Sequence, residues 1–310
     1  MVTRVTTPGN YSAVLANLLA AQSRQMEAGD RVATQKNGQD LKDYARSSEL
    51  LTAMRTMKAR VEVFQDQNKL LSDKLATQNT GLVRVADAAT SVRQIFAEAL
   101  ASGRVDTLME DVEGQFRNAV EGMNARYGGK YLFAGGQVDT RPVSASALAD
   151  LTVPPAVIAN FFQNDRFKVT AKLDEATTVT TGLLADDIGT QLLTLFQTFQ
   201  AFAEGANGPF QGEMTAAQKT FLENQLASWD QVRSEVTLKA AYNGTNQKRL
   251  ETVAADLIGR GDALTGMLGE ITDADMAKAA ADLQQAQLSV QSAAFVFQAL
   301  KESSLLSVLR

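Results

Sequence analysis

Apolar residues recur every three to four positions through most of the chain, the spacing of helices that bury one face. The longest such run lies between Met54 and Phe96. With Met54 at position a, the a series is Met54, Val61, Asn68, Leu75, Leu82, Ala89 and Phe96. The d series is Met57, Phe64, Leu71, Gln78, Val85 and Val92. Eleven of these thirteen seam positions are apolar, over more than six heptads. A run this long without internal breakers predicts a coiled coil or helix bundle. A helix of ~60 residues would be ~90 Å long, so the expected molecule is an elongated rod. Asn68 and Gln78, the polar seam residues, read as register-setting or solvated-edge positions, with ligand contact as the sharper alternative.

Other helices follow from the same period. Gly103 marks a turn into a helix at about 105–126, which Gly114 and Gly122 weaken. Ile188, Leu192, Leu195, Phe199 and Phe202 predict a short helix at 187–204, stopped by Gly205. Thr215 and Gln218 form a capping box ahead of a long helix. Its stripe runs through Leu222, Leu226, Trp229, Val232 and Val236, then past Asn243 and Asn246 to Leu250, Val253 and Leu257.

The two ends carry narrow stripes that look like partners. Tyr11, Val14, Leu15, Leu18 and Leu19 form one; Leu283, Ala286, Val290, Ala293, Phe297 and Leu300 form the other. Such helices need each other or another chain, because an exposed apolar stripe usually marks an interaction surface. A closed intramolecular bundle is the ordinary alternative. The tail, residues 303–310, is also apolar.

Proline placement divides the chain. The five prolines are Pro8, Pro142, Pro154, Pro155 and Pro209, so none interrupts residues 9–141 or 210–310. Residues 143–182 are instead rich in Val, Thr, Ala and Phe around the Pro154-Pro155 pair. The expected fold is mainly α, an elongated helical rod with paired terminal helices and a small central β-containing outer domain. Residues 1–38 and 261–310 would form the terminal domain, and 39–130 with 205–260 the rod. Residues 131–204 would form the outer domain. Because the periodic stripes lie outside 143–182, that segment is expected to be removable without loss of the rod.

Composition then narrows the chemistry. The chain of 310 residues has no Cys and no His. That removes disulfides, thiolate nucleophiles, Cys-based zinc sites, the commonest general base and the commonest metal ligand. A formal charge of −5 argues against nucleic-acid binding. No segment reaches the ~18 consecutive apolar residues of a membrane span, and the first ten residues do not look like a signal peptide.

Phosphate-loop, dinucleotide and calcium-loop patterns all fail around Gly128-Gly129-Lys130, Gly259-Arg260-Gly261 and Asp273-Ala274-Asp275. Asp186-Asp187 reads as a helix cap and first turn. Asn10 and Asn243 begin glycosylation-type triplets, a pattern frequent by chance. A carboxylate enzyme of glycosidase type would have to use Asp165, Asp174 and Glu175, which show no distinctive arrangement. No catalytic, cofactor-binding or metal residues are assigned, and no cofactor is expected.

Residues 124–136, Asn-Ala-Arg-Tyr-Gly-Gly-Lys-Tyr-Leu-Phe-Ala-Gly-Gly, followed by Asp139-Thr140-Arg141-Pro142, resemble a signature of the flagellin superfamily. The resemblance is carried by Asn124, Arg126, Gly129, Tyr131, Phe133 and Gly135. Arg249-Leu250-Glu251 after Gly244, and Ile271-Thr-Asp273-Ala-Asp275, resemble the family's returning and last helices. Residues 27–32 add a weaker match. Together these stretches cover both flanks, about two thirds of the chain. One departure stands at Gln39-Asp40-Leu41, where the family commonly has an acidic pair and a proline.

Within the superfamily the resemblance is to the hook–filament junction proteins of bacterial flagella, with filament subunits as the alternative. It implies a structural, non-enzymatic adaptor outside the cell, joining hook to filament and exported through the flagellar type III channel without a cleaved signal. Implied partners are further copies of the chain in a ring or tube, flagellin, the neighbouring hook-associated protein and an export chaperone. Assembly is expected to rest on Val14, Leu15, Leu18, Leu19, Val290, Ala293, Phe297 and Leu300.

Overall fold

The computed structural model describes residues 7–308, with side chains described for 11–302. The fold is mainly α. Six α-helices run α1 Thr7–Thr34, α2 Ser48–Ser102, α3 Leu108–Met123, α4 Ala185–Glu204, α5 Ala216–Thr272 and α6 Met276–Val308. Two antiparallel hairpins complete it: β1 Arg126–Tyr127 with β2 Lys130–Tyr131, and β3 Thr170–Lys172 with β4 Thr178–Thr180. The chain forms two compact units, residues 1–60 with 260–310, and residues 61–259.

The central unit, 61–259, holds the main core. From Leu75 onward the seam of α2 is out of water at every a and d position predicted for it. Earlier the seam is looser, and Met57 is exposed. Trp229 of α5 lies among aromatic rings, 4.9 Å from Phe196 and 6.1 Å from Phe96 between centroids, both edge-on. Phe116 meets Phe196, and Phe199 stacks between Phe96 and Phe210. Edge-on and offset pairs of this type add about 0.5–1.5 kcal/mol each beyond area burial. Helices α2 and α3 approach closely at Gly81 and Gly122. A Cβ at either glycine would fall 2.8 Å from the other's carbonyl oxygen.

The capping box at the start of α5 forms as expected. The Gln218 N–H donates to Thr215 Oγ1 at 3.3 Å, and the Thr215 N–H donates to Gln218 Oε1 at 3.0 Å. Asp186 and Asp187 lie in the first turn of α4, where carboxylates favour the positive end of the helix dipole.

Three expectations need correction. The helix expected over 105–126 spans only Leu108–Met123. It ends because the Asn124 side chain is captured by the Val143 peptide: Nδ2 donates to the carbonyl at 3.0 Å, and Oδ1 accepts from the N–H at 2.9 Å. Asn68 and Gln78 are not solvated edges. Both are buried, and their amides donate to the carbonyls of Leu173 at 2.9 Å and Thr181 at 3.3 Å. They hold the β3–β4 region onto α2.

Nor is 143–182 removable. Val143, Ala145, Leu148 and Leu151 belong to the same core as the helices. The segment is mostly irregular, so side chains satisfy its backbone. Gln197 Nε2 donates to the carbonyls of Leu151 and Ala156, both at 2.7 Å, and a Glu113 carboxylate oxygen accepts from the Leu148 N–H at 3.0 Å.

Candidate functional site in the terminal helix pair

In the unit formed by 1–60 and 260–310, α1 lies against α6. The fully buried contact residues on these two helices are alanines: Ala21 and Ala28 on α1, Ala279 and Ala286 on α6, each pair one heptad apart. Small residues at the contact let the two helices approach closely. The larger seam residues Val14, Leu18, Val290, Ala293, Phe297 and Leu300 are half-buried. Phe297 meets Tyr11 with ring centroids 5.1 Å apart.

Leu15 and Leu19 do not enter the seam; they are 38% and 57% exposed. With Met26, 66% exposed, they form a second apolar stripe on α1 at i, i+4 and i+11. On α6, Leu288 and Phe295, one heptad apart, and Val296 are likewise exposed, Phe295 by 74%. Sequence reading missed Met26, Leu288, Phe295 and Val296 because it followed one stripe per helix. Their signal was an apolar repeat offset by one or two positions from the strict a/d series. The tail at 303–310 lies outside the residues whose side chains are described.

A polar clasp closes the base of the pair. Gln35 turns the chain out of α1 with φ +59°. The Asn37 N–H then donates to the Thr272 carbonyl and the Ala274 N–H to the Gln35 carbonyl, at 2.8 and 2.9 Å. Lys36 Nζ reaches Asp273 Oδ1 at 2.5 Å, and Asn37 Nδ2 donates to the Asp273 carbonyl at 2.9 Å. The Lys36 ammonium, then the Thr272 hydroxyl, hold the Asp273 carboxyl below the usual carboxylate range. Asp275 caps α6, accepting from the N–H groups of Ala277 and Lys278 at 2.9 and 3.1 Å. At the departure from the family pattern, Asp43 does the local work. It accepts from the N–H groups of Gln39 and Asp40, which lowers its pKa.

The signature around 124–136 is a folding device within the central unit. Arg126 pairs with Tyr131 across the first hairpin, Tyr127 with Lys130, and Gly128 and Gly129 turn at φ +57° and +81°. A two-residue turn with both φ values positive favours glycine in just those places. The Arg126 guanidinium lies 4.1 Å over the Tyr131 ring and donates to its hydroxyl. Phe133 is buried, and its carbonyl accepts from the Ala185 N–H at 2.9 Å. Gly135 sits against Asp165, whose Oδ1 accepts from the N–H groups of Gly136 and Phe167, both at 2.9 Å. Those bonds lower the Asp165 pKa. Arg249, on α5, is exposed.

The carboxylates weighed for catalysis are committed to backbone. Asp174 accepts from the Ala176 and Thr177 N–H groups, as Asp165 does at the signature. Asn243 is 1% exposed and its Nδ2 donates to the Leu75 carbonyl at 2.8 Å, so it is not placed to carry a glycan. The Asn10 side chain lies outside the described residues. No group of three or more metal-ligating side chains converges, and no helix is long and apolar enough to cross a membrane, among the described residues.

The class these features define is a mainly α chain of two units, whose paired terminal helices leave apolar residues uncovered. By sequence, no protein family and no curated protein matches it. By structure it is similar to a flagellar hook-associated protein from Vibrio parahaemolyticus, with a TM-score of 0.61 and 15% identity over 74% of this chain and 100% of that one. It is also similar to Bacillus cereus FlgL, with a TM-score of 0.55 and 14% identity over 71% of this chain and 99% of that one. At such identities the likeness is one of fold.

Proposed function

We propose that the chain is a structural subunit of the bacterial flagellum, an adaptor at the junction of hook and filament. The observation that carries this reading is the terminal helix pair. It seals one narrow seam with alanines and leaves Leu15, Leu19, Met26, Leu288, Phe295 and Val296 in water. Exposed apolar stripes on two adjacent helices suit stacking against neighbouring subunits. The fold supports the reading, since both similar structures are hook-associated proteins. It favours the junction role over the alternative, the filament subunit itself.

On this reading Val14, Leu15, Leu18, Leu19, Val290, Ala293, Phe297 and Leu300 carry assembly, together with the exposed residues beside them. The partners are further copies of the chain, flagellin, the neighbouring hook-associated protein and an export chaperone. The protein works outside the cell and performs no catalysis. Its lack of cysteine suits passage through the export channel as an unfolded chain. A deletion strain viewed by electron microscopy tests the proposal. Hooks without filaments, with flagellin lost to the medium, are expected; normal filaments would refute it.

A further inference from the structure

A groove of about 400 Å³ runs between α2 and α5 within the central unit. Leu250, Ala254 and Ile258 of α5 give it an apolar wall, and Ile258 is 55% exposed. Asp66 and Asp73 of α2 and Glu251 of α5 stand on its rim, against the single basic residue Lys69. Its lining also includes Asn68, which is 97% buried (3% exposed). Asn68 Nδ2 is spent on the Leu173 carbonyl, and Oδ1 has no hydrogen-bond partner. A buried acceptor left unpaired costs about 1–3 kcal/mol, so the site favours whatever brings a donor.

The donor that fits has a long apolar stem and a forked cationic head. An arginine stem can lie along Leu250, Ala254 and Ile258 while its guanidinium donates to an amide oxygen and to carboxylates together. The chain carries such a group on the other side of the same helix. Arg249 is exposed and, among the described residues, makes no ion pair or hydrogen bond. It precedes Ile258 by nine residues, which at about 100° per residue places the two about 180° apart around α5. Groove and arginine therefore point away from each other, and Arg249 cannot fill the groove of its own chain.

We infer that Arg249 of one copy enters the α2–α5 groove of the next copy. Such a contact is heterologous, head to tail, and repeats around a ring or along a helix instead of closing a dimer. The inference rests on the reading that copies of this chain assemble, and adds a second contact to that of the terminal helices.

The absence of cysteine makes the test direct. Full-length Arg249→Cys and Ser72→Cys chains, the second placed in the groove lining, are mixed and treated with a short bis-maleimide under conditions where sedimentation shows association. Dimers linked between positions 249 and 72 are expected from the mixture, and few from either variant alone. Arg249→Glu should weaken self-association at least tenfold and Arg249→Lys less, while adding Asp73→Arg to Arg249→Glu should restore most of the loss. Associated chains without the 249–72 link would overturn the contact and leave assembly standing. Chains that stay monomeric at every concentration would overturn the contact and the self-association beneath it, while the filament phenotype of the deletion strain tests the proposed function separately.

Discussion

In the central unit the stripe of α5 places Trp229, Val232 and Val236 wholly or almost wholly out of water. In the terminal unit the same seven-residue spacing buries alanines, while leucine, valine and phenylalanine beside them stay half-exposed or more. The difference lies in the number of neighbours. Helix α5 meets α2, the aromatic residues of α4 and the irregular middle segment, so its stripe is enclosed from several directions. Among the described contacts α1 and α6 have chiefly each other. Full burial of a Leu or Phe contributes about 1.5–3 kcal/mol, and half-burial forgoes much of that. The central unit thus spends its apolar surface on its own fold. The terminal pair retains surface that another subunit can cover.

The comparison breaks most sharply if residues 143–182 are deleted and closed with a Gly/Ser linker. Val143, Leu148 and Leu151 would leave the core, so loss of the cooperative melt followed by circular dichroism is expected. Persistence of a parent-like transition would show that the helices hold without the middle. Next in size, Trp229→Ala should cost about 3–5 kcal/mol in urea unfolding, because the enclosing rings cannot collapse onto the space. Leu71→Pro should cost ~3 kcal/mol or more by breaking α2, and Leu71→Ala, only half-buried, about 1–2 kcal/mol. Equal melting of the proline variant and the parent would count against a continuous α2 at that point.

Phe297→Asp should act in the opposite sense. It removes the ring beside Tyr11 and charges the seam of the terminal pair, so incorporation at the hook tip is expected to fail. The central unit's melting temperature should shift by less than about 2 °C, as for a surface change of ~0.5 kcal/mol or less. A large fall in that temperature would mean that the two units are not as independent as their separate cores suggest.

The smallest effect concerns the clasp. The Asp273 carboxyl is depressed by Lys36 and Thr272, so its folded pKa lies below the unfolded value of about 3.9. A depressed carboxylate contributes above the unfolded pKa and loses that contribution as pH falls through the folded one. Hydrogen exchange at the Asn37 and Ala274 N–H groups should be unchanged between about pH 5 and 8, after correction for intrinsic rates, and faster below about pH 4. Asp273→Asn should produce the faster exchange already at neutral pH. Identical protection in that variant would show that the backbone bonds alone hold the clasp.

Much of this architecture could be read from the chain. The α2 seam, the Thr215–Gln218 cap, the α4 stripe and the pairing of the two ends are local or periodic patterns, and a helix expresses such patterns through geometry alone. The assembly residues were legible for the same reason, but only as one stripe per helix. What sequence could not decide was which positions would find neighbours. Leu15 and Leu18 are the same residue type three positions apart, and only the placement of α6 leaves the first exposed and the second half-buried.

The polar residues show the same limit more strongly. Asn68, Gln78 and Asn243 looked like interruptions of apolar stripes, yet each donates to a backbone carbonyl far away in the chain, at Leu173, Thr181 and Leu75. The middle segment joined the core through Val143, Leu148 and Leu151 without any periodic signal, because irregular backbone repeats nothing. The sequence by itself determined the helices, their stops and the narrow terminal stripes, all set by spacing within a few turns. Tertiary structure alone decided which stripes are enclosed, which amides become clamps and which apolar residues remain uncovered, since burial belongs to pairs of surfaces and not to single residues.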